Sequence, residues 1–190
     1  VAIIASLVIG PAATAGPERA SAGTAVIIHD QEPGILNPFL SEGNGYTVAL
    51  VMNKILNAGL IYNDKVQVVP ELFTARPKIL KKEPLTVTAT YKPTAKWSDG
   101  KQITGADWLA TYKTIMNPNW DITSREGWQD IASVKARGKN VTVVWKKGKS
   151  YAAWDALVAT SPMPAHKVAG QNFNDLWRSS LDVASGPFKF

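Results

Sequence analysis

The feature that most constrains the fold is the stretch at residues 96–109, which combines a turn, a helix start and a helical repeat. Asp99-Gly100 is typical of a tight turn, because Asp hydrogen-bonds its local backbone and Gly reaches positive φ without steric cost. Thr104 and Asp107 have the spacing of a capping box. Apolar residues then recur at helical spacing until an Asn-Pro pair stops them. The stretch predicts a strand, a turn and a helix capped by Thr104, with Trp97 buried.

Asp99 and Asp107 are also the acidic side chains of this stretch that could serve catalysis. Turn and cap roles explain both, because caps are common and each is worth about 1 kcal/mol. The sequence contains no nucleophile elbow, zinc-protease motif or Ser-His-Asp set. We therefore predict no catalytic residue, and the residues favour a binding protein over a hydrolase.

The composition is that of a globular protein, since 45% of the 190 residues are hydrophobic and 19% are charged. A net charge of +6 could attract anionic partners. No nucleic-acid-binding motif accompanies it, so no nucleic-acid partner is predicted. The basic residues are dispersed, and their short clusters fit solvated faces: Lys78, Lys81, Lys82 and Lys146, Lys147, Lys149.

Metal and cofactor chemistry finds no support in the sequence. The chain has no cysteine, which removes disulfides, thiolate catalysis and Cys-ligated metals together. His29 and His166 lie far apart and fit no metal-ligand spacing, so surface or hydrogen-bonding roles are predicted for them. We expect neither a metal nor a cofactor.

The first 23 residues resemble the remains of a secretory signal peptide. The apolar run at residues 1–9 is too short for a membrane span, which needs about 20 residues. Small residues follow Gly10-Pro11, as in a cleavage zone, although the charged start is missing. The alternative is a buried first strand. We predict a periplasmic or extracellular protein and leave residues 1–23 out of the fold.

Hydrophobic periodicity predicts helices and strands in alternation, hence a mixed α/β (α+β) fold. The predicted elements are a strand at 24–29, a turn at 30–34, a flexible loop at 41–45, a helix at 47–56, a hairpin of 60–62 and 66–69, a strand at 85–91, the helix after Thr104, a hairpin of 131–137 and 141–145, a short helix near 154–158, an extended link at 161–164, a helix at 172–181 and a strand from 186.

Residues 97–108 resemble the WSDG-x-P-[VI]-T-A-x-D-[VF] signature of the family 5 extracellular solute-binding proteins, which are peptide- and nickel-binding components of ABC importers. Gln102 replaces the usual Pro, and Gly105 replaces the usual Ala. Four further pieces agree in order with the family: the E-P-x-x-L-x-P match at 32–38, the helix at 47–56 followed by Gly59-Leu60-Ile61-Tyr62, Met163-Pro164-Ala165-His166, and Ser185-Gly186-Pro187-Phe188. The resemblance covers nearly all of residues 25–190.

The resemblance implies the N-terminal part of a two-lobed type II periplasmic-binding-protein-like fold. Family members are much longer, so we expect a fragment that lacks the second lobe, binds weakly alone and stops within a strand. The implied parts are a first-lobe core segment at 24–44, a subdomain with the WSDG motif at 45–168, and a return to the core at 169–190.

The implied function is capture of a peptide-like solute in the cleft between the lobes and its delivery to a membrane permease. The resemblance implies a monomer, with membrane association through the transporter as an open alternative to a freely diffusing protein. The resemblance and the value of exposed aromatic side chains for binding give the candidate ligand residues: Glu32, Pro33 and Gly34 after the first strand, and Trp120, Ser124 and Trp128 after the capped helix. Packing in the subdomain core is the alternative for both tryptophans. An oligosaccharide or a metal chelate is the alternative ligand, and a ligand-sensing domain of a regulator is the alternative role.

Overall fold

The computed structural model describes residues 28–190. The predicted leader at 1–23 and most of the predicted strand at 24–29 lie outside the described residues. Gln31–Phe190 form one compact unit. Its elements are α1 Tyr46–Met52, β1 Leu60–Tyr62, β2 Val68–Pro70, β3 Lys78–Lys82, β4 Leu85–Thr90, α2 Gly105–Met116, β5 Ile131–Arg137, β6 Asn140–Trp145, α3 Trp154–Val158 and α4 Ala165–Val168. The mixed fold class is confirmed.

A four-stranded antiparallel sheet in the order β3-β4-β6-β5 is the framework of this unit. In β4, Leu85, Val87 and Ala89 are buried while the threonines between them are half-buried. This alternation confirms the predicted strand, and the predicted β5–β6 and β1–β2 hairpins form as well. Among the strands of the described residues, β3 alone is missing from the prediction, because all five of its side chains are exposed and no alternation marks it. The short helix α4 is not predicted either.

The core lies between the inner face of this sheet and α2. Val87, Val143 and Trp145 are completely buried on the sheet side, and Trp108 is completely buried on α2. Trp97 is only 2% exposed, as predicted. The two tryptophans of the WSDG region are therefore core residues, which accounts for their place in the motif by packing.

Helix α1 ends at Met52, so the predicted helix at 47–56 is too long. The backbone carbonyls of Lys54 and Ile55 accept hydrogen bonds from the N–H groups of Phe188 and Gly186. A Cβ on Gly186 would lie 2.3 Å from the Lys54 oxygen, so only glycine permits this approach. The strand predicted from residue 186 is also wrong, because its first N–H groups are used here instead of in a sheet.

The helix predicted at 172–181 is wrong, because this segment is a series of turns. Trp177 has a φ of 59°, in the left-handed region that interrupts a helix. The carbonyl of Arg178 accepts from Leu36 N at 2.9 Å, and that of Leu176 accepts from Asn37 Nδ2 at 2.9 Å. Contacts distant in sequence therefore take the carbonyls of this segment. The loop predicted at 41–45 contains a 3-10 turn, Ser41–Gly43.

Candidate ligand-binding surface

The start of α2 is a capping box, as the sequence predicts. Thr104 Oγ1 accepts from Ala106 N at 3.2 Å, and Asp107 Oδ2 accepts from Thr104 N at 2.8 Å. Gly105 lies so close to the β5–β6 turn that a Cβ would be 2.4 Å from the Asn140 oxygen. This contact explains why glycine stands where the family signature has alanine.

Asp107 has more partners than a cap requires. The residue is buried, with only 4% of its surface exposed. Beside the bond from Thr104 N, Oδ1 accepts from Ala165 N at 2.9 Å and from Trp97 Nε1 at 3.3 Å. Asp107 thus joins the WSDG turn, α2 and α4. Because its carboxylate oxygens already accept hydrogen bonds from these segments, its role is structural.

Asp99 closes the turn, as predicted, and also pairs with a histidine. Oδ1 accepts from Lys101 N at 3.1 Å, and Oδ2 lies 2.7 Å from His166 Nε2. Burial raises the pKa of Asp99, but the hydrogen bonds from Lys101 and His166 and their positive charge outweigh it, so the net pKa is lowered. The sequence predicts a surface or hydrogen-bonding role for His166, but not this partner.

The Asp99–His166 pair makes the free energy of unfolding depend on pH in the acidic range. Since the pKa of Asp99 is lower in the folded state, its contribution is complete above the unfolded value of about 3.9 and is lost as the pH falls through the folded value. We expect the stability difference between wild type and Asp99→Asn to shrink below about pH 4. Chemical denaturation over a pH series measures it. A difference that stays constant down to about pH 2 would contradict the pairing.

The loop after α2 is held in one conformation by its own side chains. The Arg125 guanidinium donates to the carbonyls of Asn117 and Trp120 at 2.9 and 2.8 Å. Ser124 is exposed, and its Oγ accepts from Glu126 N at 3.1 Å. A loop fixed before a ligand arrives loses little conformational entropy on binding.

The two candidate tryptophans of this loop occupy different environments. Trp128 is 8% exposed, and its ring centroid lies 5.4 Å from that of Trp108 and 6.4 Å from that of Tyr112. Trp120 is half-buried and packs against the core cluster. Core packing therefore holds most of Trp128, while Trp120 keeps more accessible surface.

Backbone hydrogen bonds attach this loop to the segment that follows Glu32, Pro33 and Gly34. Thr123 N donates to Phe39 O at 3.0 Å, and Ser41 N donates to Asp121 O at 2.9 Å. Glu32 and Gly34 are exposed and Pro33 is half-buried. Both candidate regions thus belong to chain segments that meet at residues 39–41 and 121–123.

A cavity of about 220 Å³ has Ser124 and Trp128 in its wall, together with Tyr151 and Thr160. Glu32, Pro33, Gly34 and Trp120 are not among its lining residues. Thr160 also lines a cavity of about 350 Å³ beside β1 and one of about 140 Å³ beside Pro38 and Phe39. Thr160 is not among the predicted ligand residues, because no motif marks it and only tertiary packing brings it here.

Neither a cluster of metal-binding side chains nor a membrane-spanning helix occurs in the described part of the chain. Residues 28–190 hold no group of three or more His, Asp or Glu side chains arranged to bind a metal ion. No helix within these residues has the length and apolar character needed to cross a membrane.

The chain belongs to the bacterial extracellular solute-binding proteins, family 5, whose profile for the middle region matches residues 67–190. A Brucella ovis protein whose name describes an ABC transporter peptide-binding protein is 30% identical over 199 residues, which cover 100% of this chain and 36% of that protein. The chain therefore spans about a third of the length of that relative.

Solved structures share the fold at lower sequence identity. The periplasmic EDTA-binding protein EppA superposes with a TM-score of 0.75 at 22% identity, covering 84% of this chain and 32% of EppA. The oligopeptide-binding protein AppA of Bacillus subtilis, in complex with a nonapeptide, gives a TM-score of 0.70 at 22% identity, with coverages of 84% and 32%. These likenesses establish the fold, while the two named ligands differ.

Proposed function

We propose that the chain is part of the substrate-binding component of an ABC importer, which captures a peptide-like solute and delivers it to a membrane permease without catalysis. The observation that carries this proposal is the 30% identity, over the whole chain, to the Brucella ovis peptide-binding protein. The AppA–nonapeptide complex, which shares the fold, supports a peptide as ligand. The protein acts as a monomer, in the periplasm or outside the cell.

The first lobe, in this proposal, consists of a core segment at 24–44, a subdomain at 45–168 and a returning segment at 169–190. Hydrogen bonds between the two outer segments support this division, because Leu36 N donates to Arg178 O and Asn37 Nδ2 donates to Leu176 O. The subdomain is tied to the returning segment by Ser98, whose Oγ accepts from Ala184 N at 3.0 Å. In this proposal, a second lobe would close over the ligand-binding surface of the first lobe.

The proposed ligand surface combines polar groups with apolar walls. It comprises Glu32, Pro33, Gly34, Trp120, Ser124 and Trp128, and we add Thr160 from the cavities. Hydroxyl groups at Ser124 and Thr160 would pair with peptide main-chain groups, whereas the tryptophans supply apolar contact area. Main-chain pairing binds peptides of many sequences, so side-chain specificity would come from the pockets.

Closure of the two lobes is the mechanism that follows from this plan. A solute that contacts both lobes only in the closed form shifts the hinge equilibrium toward that form, which the permease would recognise. The Arg125-fixed loop contributes by keeping its half of the surface ordered before binding.

A thermal-shift screen of the full-length protein tests the ligand class. The screen includes di- and oligopeptides, oligosaccharides and metal chelates. We expect peptides to raise Tm, because a ligand that binds only the folded state stabilises it, by about 2.7 kcal/mol at a hundredfold excess over Kd. A response to sugars or chelates with none to any peptide would contradict a peptide ligand.

A further inference from the structure

The outer face of the four-stranded sheet carries basic side chains and no acidic ones. Strands β3 to β6 together contain five basic residues and neither Asp nor Glu. By strand register, four of the five share the outer face with the half-buried threonines of β4 and β6: Lys78, Lys81, Lys135 and Arg137. All four are exposed, so every charged strand residue on this face is positive.

Two apolar side chains lie among the lysines of β3. Ile79 is 45% exposed and Leu80 is 61% exposed, at the irregularity in pairing between Ile79 and Lys81. Edge strands often carry Lys to prevent pairing with other chains. Protection of an edge strand does not require exposed Ile and Leu side chains. Negatively charged side chains can also protect an edge, so this role does not account for a purely basic face.

We propose that this basic sheet face, formed by Lys78, Lys81, Lys135 and Arg137, acts together with the exposed Leu80 at the irregularity of β3 to dock the protein on anionic phospholipid bilayers. Phosphate headgroups attract Lys and Arg close to the surface. An apolar side chain between the cations gains free energy by entering the interface, which a soluble polyanion does not provide. This inference goes beyond the proposed function, because it concerns a surface that need not touch the solute.

A protein docked in this way would diffuse along the bilayer surface, and would therefore search for the permease in two dimensions. A binding protein held weakly at the bilayer has a higher local concentration near a membrane partner. Four basic residues give an attraction that is reversible and sensitive to salt, because exposed charges are screened within about 8 Å at physiological ionic strength.

Vesicle co-sedimentation of the full-length protein tests the proposal. We expect binding to phosphatidylglycerol–phosphatidylcholine vesicles at low salt, none to phosphatidylcholine alone, and loss of binding at about 500 mM NaCl. The variant Lys78→Glu/Lys81→Glu/Lys135→Glu should bind at least about tenfold more weakly. The control Lys54→Glu/Lys65→Glu/Lys113→Glu changes the net charge equally at exposed positions away from this face, and it should retain most of the binding.

Two results would overturn the proposal. Equal losses in both triple variants would mean attraction by net charge and not by this face. An unchanged vesicle affinity for Leu80→Gln, together with equal binding to heparin, would mean a soluble polyanion partner; we expect Leu80→Gln to weaken vesicle binding a few-fold. Peptide-induced thermal shifts in the same variants are read separately, so failure of the proposed function is distinguished from failure of membrane docking.

Discussion

Replacing Asp107 by alanine is expected to lower the free energy of unfolding by about 3–5 kcal/mol, measured by urea denaturation. The carboxylate is buried and accepts from Thr104 N, Ala165 N and Trp97 Nε1. Alanine removes these acceptor contacts at once, together with one from Thr104 Oγ1, and a buried donor left unpaired, here Trp97 Nε1, costs about 1–3 kcal/mol by itself. The three segments that Asp107 joins would then lose these links.

Two further variants separate this role from a general effect of charge. Asp107→Asn keeps the shape and one acceptor oxygen, so its loss should be smaller than that of alanine. Asp64→Ala, in the exposed β1–β2 turn, should change stability by less than about 0.5 kcal/mol. A loss at Asp107→Ala no larger than at Asp64→Ala would contradict the structural role of this carboxylate.

Trp108→Ala is the second large effect, with an expected loss of about 3–5 kcal/mol in the same measurement. The side chain is fully buried; its ring stacks on that of Tyr112 and packs at a tilt of 31° against that of Trp128. Its Nε1 donates to Val158 O at 2.9 Å, which ties α2 to α3. Truncation would leave a cavity beneath the wall that Trp128 forms, so the proposed binding surface would loosen with the core.

Trp108→Phe distinguishes packing from hydrogen bonding at this position. Phenylalanine retains an aromatic ring but leaves Val158 O without its donor, so we expect a loss of about 1–3 kcal/mol, below that of alanine. Trp120→Ala serves as a comparison, because Trp120 is only half-buried. A smaller loss for Trp108→Ala than for Trp120→Ala would show that Trp108 is not central to the core.

Local sequence patterns predicted an element correctly where the hydrophobic pattern matches the burial of its side chains, or where a capping motif is complete within the segment. Strand β4 alternates because one face is buried, and the Thr104–Asp107 spacing produces the capping box it predicts. Strand β3 escaped prediction because an exposed edge strand needs no alternation. The segment 172–181 has helical spacing, but Leu36 and Asn37, far away in sequence, bind its carbonyls.

The candidate surface shows the same division between local and distant information. Resemblance to the family predicts Ser124 and Trp128 from their place in the loop after the capped helix, and both line one cavity. Tyr151 and Thr160 complete that wall from segments that carry no motif, so only the packed chain places them there. Contact between these residues and a ligand stays a prediction, because a binding site is formed by side chains from several segments of the chain and not by one motif.

Isothermal titration of the full-length protein with the peptide that gives the largest thermal shift tests capture at this surface most directly. Wild type is compared with Thr160→Val and with Thr114→Val, a matched change on α2 outside the three cavities that Thr160 lines. We predict that Thr160→Val raises Kd about five- to tenfold through the lost hydroxyl, while Thr114→Val leaves Kd unchanged. Equal Kd values for all three proteins would contradict peptide binding at the Thr160 cavities.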